Sequence, residues 1–215
     1  PKGKGHYVDI GANKGDITGT MVLLDPNGRF EAFDVIEHFV SRIKKRFRSF
    51  DNVKVIHKAM GNCNAPDEIE IKGKTEWLNQ NSHHTGASAL TRASDHDVVL
   101  EKVKTTCIDN YFDVFDGSDI IDILKIDTEG LDAQVLKGAY KMLRNQMIKF
   151  IMFESNKMQH AIGDNLFDTV QYLDELGYDS FLAGKNSKIQ LNGKCRQSSV
   201  FDSEFTLNIV SYLRT

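Results

Sequence analysis

Tryptophan occurs once and proline three times in 215 residues, and cysteine three times at wide spacing (Cys63, Cys107, Cys195). With an odd count and no CxxC pair, neither a disulfide framework nor a zinc site is expected, and reduced, intracellular thiols are the default. The apolar runs are only a few residues long, so none can span a bilayer. No secretory pattern opens the chain, and a cytoplasmic location is expected. A dominant charge is missing too: 27 Lys+Arg against 30 Asp+Glu leaves −3, too little to draw the protein to nucleic acid or to an anionic membrane. There is neither an internal repeat nor a low-complexity segment. What remains is an ordinary globular composition, with 40% hydrophobic residues and 16 glycines. The length suits one domain over residues 1–215, and the start at Pro1 suggests a piece of a longer polypeptide.

Short apolar strands alternate with amphipathic helices from end to end. Strands are predicted at 6–10, 29–34, 53–60, 68–72, 98–108, 120–127, 150–154, 178–183 and 205–213. Helices are predicted over 14–24 and 36–48, from Leu131 to Leu143, and from a cap at Asp164 to a stop at Gly177. Such alternation implies right-handed crossovers and a doubly wound α/β sheet, mostly parallel, closed by an antiparallel C-terminal pair. The basic run Arg42, Lys44, Lys45, Arg46 and Arg48 reads as a solvated helix face. Two polar stretches, 73–97 and 184–203, interrupt the pattern, and loops this long tend to be functional or disordered.

Sheets of this kind bind ligands at the carboxyl ends of their strands, beside the topological switch point. The first strand ends in Asp9-Ile10-Gly11-Ala12-Asn13-Lys14-Gly15. Gly11 and Gly15 allow a sharp turn and close backbone approach, and the following helix N-terminus offers unpaired N–H groups to an anion. Asn13 stands where a dinucleotide fingerprint has its second glycine, which disfavours a pyrophosphate and permits a smaller carboxylate. Asp34 ends the second strand 23 residues beyond Gly11, where an acid can accept both hydroxyls of a ribose. Together they describe S-adenosyl-L-methionine better than NAD. A plain strand–helix turn and a surface aspartate are the bland alternatives.

In Lys125-Ile126-Asp127-Thr128-Glu129-Gly130, period two puts Lys125 and Asp127 on one face of an otherwise apolar strand. Asp127 could accept a proton from a substrate hydroxyl, with Lys125 and Glu154 (the end of the next strand) arranging its surroundings. A structural ion pair of Lys125 with Asp127 or Glu154 is the competing reading. No ligand spacing supports a metal among His83, His84, Asp127, Glu129 and Glu154.

These pieces resemble the FkbM family of S-adenosylmethionine-dependent methyltransferases. The matching segments are VDIGANKGDIT (8–18), EAFD (31–34), NVKVIHKAMGN (52–62), TGASAL (85–90), VKTTCIDNY (103–111), ILKIDTEGLDAQVLKGA (123–139) and IMFES (151–155). The resemblance implies a class I methyltransferase sheet and O-methyl transfer to sugars or polyketide hydroxyls, with Asp9, Gly11, Asn13 and Gly15 at the methionine end of the cofactor and Asp34 at its ribose. The family usually has Glu-Pro where this chain has Asp34-Val35, and Ala89 replaces the second of two serines after Ser88. Trp77, His83, His84, Ser88 and Glu129 are the expected acceptor contacts, since an indole covers an apolar sugar face while polar groups bond its hydroxyls. The expected function is O-methylation of a hydroxyl, with a carbohydrate as partner and fusion to glycosyltransferase domains in a longer protein. The rival readings are an NAD-dependent oxidoreductase, a non-catalytic binding domain, and a nucleic-acid methyltransferase, the last disfavoured by the acidic charge.

Overall fold

The computed structural model describes residues 4–73, 98–112, 119–160, 162–193 and 206–214. The strands are β1 (His6–Ile10), β2 (Arg29–Asp34), β3 (Val53–His57), β4 (Ala59–Met60), β5 (Glu68–Gly73), β6 (Val98–Thr106), β7 (Ile121–Ile126), β8 (Ile148–Ser155), β9 (Tyr178–Ala183), β10 (Lys188–Gln190) and β11 (Leu207–Leu213). The helices are α1 (Asp16–Leu24), α2 (Glu37–Arg46), α3 (Ile108–Tyr111), α4 (Asp132–Lys137), α5 (Tyr140–Arg144), α6 (Lys157–His160) and α7 (Leu166–Glu175).

Eight strands form the main sheet in the order β10-β9-β11-β8-β7-β1-β2-β3. Strands β3, β2, β1, β7 and β8 are parallel, while β11 lies antiparallel between β8 and β9. The closing strand is thus inserted into the sheet and its antiparallel pairing extends on both sides. Alternation along the strands feeds two separate apolar layers. Val8 and Leu124 join Leu136, Met142 and Leu173 on one face, whereas Tyr7 and Ile123 pack with Met21, Ile43 and Phe47 beneath α1 and α2 on the other. Crossovers from β1 through β2 to β3 proceed one way and β7 lies on the opposite side of β1, so the order reverses between β1 and β7.

A second sheet, β4-β6-β5, sits beside α2 and buries Ile71 and Val103 against Ile36, Phe39 and Ala59. It divides the strand predicted over 53–60. Residues 53–57 pair with β2, but Ala59 and Met60 turn away to pair with β6. The apolar pattern continues across this break, so alternation alone could not reveal it.

The helix expected from Leu131 to Leu143 also breaks, into α4 and α5, at Gly138. A Cβ at Gly138 would lie 2.1 Å from the Gly61 carbonyl oxygen and 3.0 Å from the Cβ of Cys107, so backbone from the 61–63 loop occupies the space of a side chain. That loop is covalently anchored. Contrary to the expectation of reduced thiols, Cys63 and Cys107 form a disulfide across a sequence separation of 44. Disulfides persist in oxidising surroundings, so a cytoplasmic location loses the support that three reduced cysteines would have lent it. Asn165 rather than Asp164 caps α7, its side chain accepting from the Asp168 N–H at 2.8 Å. Asp164 instead accepts from Gln134 Nε2 at 2.6 Å and Lys137 Nζ at 2.5 Å. Among the described residues, no helix is long and apolar enough to cross a membrane.

Candidate active site

The carboxyl ends of β1, β2 and β7 converge on one crevice at the switch point. Its polar side carries Gly11, Asn13, Asp34, Asp127, Thr128 and Glu129, and its apolar side Phe33, Ile36, Phe39, Met60, Ile69 and Ile71. Met60, Ile69 and Ile71 belong to the small sheet, which therefore forms one wall.

The glycine loop is tied down at both ends. Gly11 and Ala12 both donate their N–H groups to the Phe33 carbonyl, at 3.0 and 2.9 Å. Gly11 has φ +73°, and a Cβ there would lie 1.8 Å from the carbonyl oxygen of Asp127. Its lack of a side chain therefore lets β1 and β7 close together, ahead of any demand from a ligand. Asn13, also left-handed at φ 52°, donates its N–H to Asp34 Oδ2 at 2.7 Å. Asp34 Oδ1 accepts from the Ile36 N–H at 2.9 Å. Burial raises the pKa of Asp34 despite the backbone hydrogen bonds of Ile36, Asn13 and Val35 and the charge of Lys125. The acid thus orders the rim of the crevice. The side-chain oxygen of Asn13 is buried without a hydrogen-bond partner among the described residues. Gly15 stands at the N-cap of α1 with φ 75° and provides no side-chain cap, leaving first-turn N–H groups open toward the loop.

Register places Asp9 opposite Lys125 on adjacent parallel strands. Lys125 Nζ lies 3.1 Å from Asp9 Oδ1 and 3.5 Å from Asp127 Oδ2, and it donates to the Gly11 carbonyl at 2.8 Å. Burial lowers its pKa, but the charges of Asp9 and then Asp127 outweigh that and hold it above the ordinary lysine value. Asp9 Oδ2 accepts from Thr18 Oγ1 at 2.6 Å. The closer carboxylate of Lys125 is thus Asp9, while the Asp127 side chain stays 37% exposed at the crevice.

Beyond β7 the chain turns through Glu129 (φ 54°) and Gly130 (φ 107°). Asp132 clamps this turn to the next strand. Its Oδ2 accepts from Thr128 N at 3.1 Å and Thr128 Oγ1 at 2.7 Å, and its Oδ1 from the Glu154 N–H at 2.9 Å. Glu154, half-buried at the end of β8, is pushed up to about 7 by burial, then by the charges of Asp127, Asp132 and Glu129, with Lys125 opposing. A carboxylate of this kind exchanges protons near neutrality.

The crevice brings together Gly11, Asn13, Asp34, Asp127 and Glu129. Asp9 and Lys125 lie beneath it, Gly15 opens the adjoining helix, and Glu154 ends the strand next to β7. The expected acceptor contacts Trp77, His83, His84 and Ser88 lie outside the described residues, as does the third cysteine, Cys195. Among the described residues no cluster of His, Cys, Asp and Glu is arranged to hold a metal. Sequence reasoning missed Asp132 and the wall of Met60, Ile69 and Ile71. The only signal for Asp132 was an acid in the first turn of a helix following a site strand.

The crevice combines an apolar wall, an acid at the end of the second strand and an orphaned buried oxygen in the glycine loop. Solved structures with the same fold include an rRNA methylase from Streptococcus thermophilus (14% identity, TM-score 0.50, covering 98% of this chain and 88% of that one). Also similar are a putative methyltransferase from Streptococcus mutans in complex with S-adenosylhomocysteine (10% identity, TM-score 0.48, 97% and 88% covered) and precorrin-6y C5,15-methyltransferase from Geobacter metallireducens (12%, 0.47, 98% and 80%). No curated protein matches the sequence. The methyltransferase FkbM domain matches residues 9–180, and the chain therefore belongs to the FkbM family of S-adenosylmethionine-dependent methyltransferases.

Proposed function

We propose that the protein methylates a hydroxyl oxygen, with a carbohydrate as the acceptor. The observation that carries this reading is the pair of carboxylates, Asp127 lining the crevice just beyond β7 and Glu154 near the end of the neighbouring β8, near enough that the charge of Asp127 helps raise Glu154. A hydroxyl must shed its proton as its oxygen attacks, and a carboxylate beside the attacking atom can take it. S-adenosylmethionine, when bound, supplies a methyl group on a sulfonium that is already a good leaving group. The protein then has little to do beyond orientation and proton removal. Asp127 is the member of the pair that lines the crevice and accepts the proton. Lys125 positions it, and Glu154 tunes the local charge. Gly11, Asn13 and Gly15 with Asp9 beneath them hold the methionine end of the cofactor, and Asp34 its ribose. Glu129, also lining the crevice, contacts the acceptor, as do Trp77, His83, His84 and Ser88 from the segment that follows β5. The choice of a sugar rests on the family resemblance and on the composition of that segment.

The test is transfer of isotope-labelled methyl from S-adenosylmethionine to a panel of saccharides, amines and RNA, followed by linkage analysis of the product. An alkali-stable methyl ether on a sugar is expected. Label recovered on nitrogen or carbon would reject the reading.

A further inference from the structure

The outer side of α2 concentrates positive charge that the net −3 of the chain conceals. Arg42, Lys44, Lys45, Arg46 and Arg48 are all exposed. Arg46 pairs with Asp16 at 2.6 Å, whereas the other four have no acidic partner among the described residues. An open groove runs along this side from Lys14 and His38, past Arg42 and Lys45, to Phe50, which is 42% exposed. A solvated helix face accounts for these charges. It does not account for Leu23 and Leu24 at the end of α1, which are 82% and 81% exposed.

The two features adjoin where α1 meets α2. Arg46 crosses α1 at Gly19, where a Cβ would lie 2.9 Å from its guanidinium, and Leu23 follows Gly19 by one turn on the same helical stripe. The Phe50 turn packs beside the α1–β2 turn, since Asn52 Nδ2 donates to the carbonyls of Pro26 (3.0 Å) and Gly28 (2.8 Å). Both helices run back against the direction of their strands, so Leu23, Leu24 and Phe50 gather at the amino edge of the sheet. The crevice lies at the opposite edge and stays open.

We propose that this face docks the protein peripherally on an anionic lipid surface. The leucines and Phe50 would meet the acyl boundary while the α2 cations sit among phosphate headgroups. Large apolar side chains rimmed by cations mark such surfaces, and the attraction is electrostatic and local, so a negative total charge does not prevent it. RNA fits less well. A strand-binding face stacks bases on aromatic rings, and this one offers two leucines and a single exposed phenylalanine. The proposal is independent of the acceptor.

Cosedimentation of the 215-residue chain with phosphatidylcholine vesicles, with and without phosphatidylserine, tests it. Binding is expected only with the anionic lipid and should weaken as salt rises. Arg42→Gln/Lys45→Gln should lower partitioning about fivefold for each charge removed, and Leu23→Ser/Leu24→Ser at least about tenfold. Both variants should keep the wild-type melting temperature and S-adenosylhomocysteine affinity. No binding to anionic vesicles, equal binding to neutral ones, or a leucine variant that binds as wild type would each overturn the proposal. So would a dimer that dissociates on Leu23→Ser/Leu24→Ser without any vesicle binding, which would assign the leucines to self-association. RNA that displaces the vesicles and ignores the leucine substitutions would assign the cations to nucleic acid.

Discussion

Removing the Cys63–Cys107 bond is the perturbation whose size follows most directly from the structure. The bond closes a loop with a sequence separation of 44. In the chain-entropy account, a loop of that length restricts the unfolded ensemble enough to stabilise the fold by about 4 kcal/mol. For a chain of this size, each kcal/mol moves the melting temperature by roughly 2–4 °C, so a fall of roughly 8–16 °C is expected. The effect should reach the crevice, because the bond joins the loop after β4 to the start of α3, and Met60 of β4 lines the crevice wall. The assay is calorimetry on oxidised protein, reduced protein and the Cys63→Ala/Cys107→Ala variant, with S-adenosylhomocysteine titrated into each. Peptide mapping without reductant should first recover the Cys63 and Cys107 peptides cross-linked. Reduced protein and variant should then agree with each other and fall below the oxidised form. Melting temperatures equal within about 2 °C, against a bond shown to be present, would refute the loop-entropy argument.

Asp127→Asn should fold with near-wild-type stability and lose about 10²–10⁴-fold in kcat, because Lys125 retains Asp9 at 3.1 Å and the Gly11 carbonyl at 2.8 Å. Asp9→Asn should instead lower the melting temperature, since it strips a buried lysine of its nearer carboxylate; the reverse ranking of the two variants would show that Asp127 is the structural partner. Glu154, raised to about 7, holds a proton in the folded state that the unfolded chain has lost above about pH 4.3. It therefore costs stability progressively as pH rises from there through 7, and Glu154→Gln should melt higher than wild type at pH 8 but equally at pH 4. Gly138→Ala should destabilise by more than about 1 kcal/mol, far beyond any helix-propensity gain, because its Cβ meets the Gly61 carbonyl; denaturant unfolding checks the sign.

Much of the site was legible locally. Gly11, Asn13, Asp34 and Asp127 each sit at or just beyond the end of a strand marked by its apolar residues, and a parallel sheet brings such ends to one edge whatever the details. The roles of individual groups were less so. Gly11 reads as space for a ligand, yet its missing Cβ first makes room for the Asp127 carbonyl. Lys125 reads equally well as the partner of Asp127 or Glu154, yet its nearer carboxylate is Asp9, which strand register sets opposite it.

The sequence by itself determined the α/β alternation, the parallel core, the glycine loop and the acids at the strand ends, because these depend on period, turn chemistry and short spacings. Tertiary structure alone decided the rest. It paired Cys63 with Cys107, split residues 53–60 between two sheets, broke a helix at Gly138 and brought Arg46 of α2 against Gly19 of α1. Each of these is a meeting of segments far apart in the chain. Pattern along the chain constrains only near neighbours, and which distant segments touch is settled by how the layers pack.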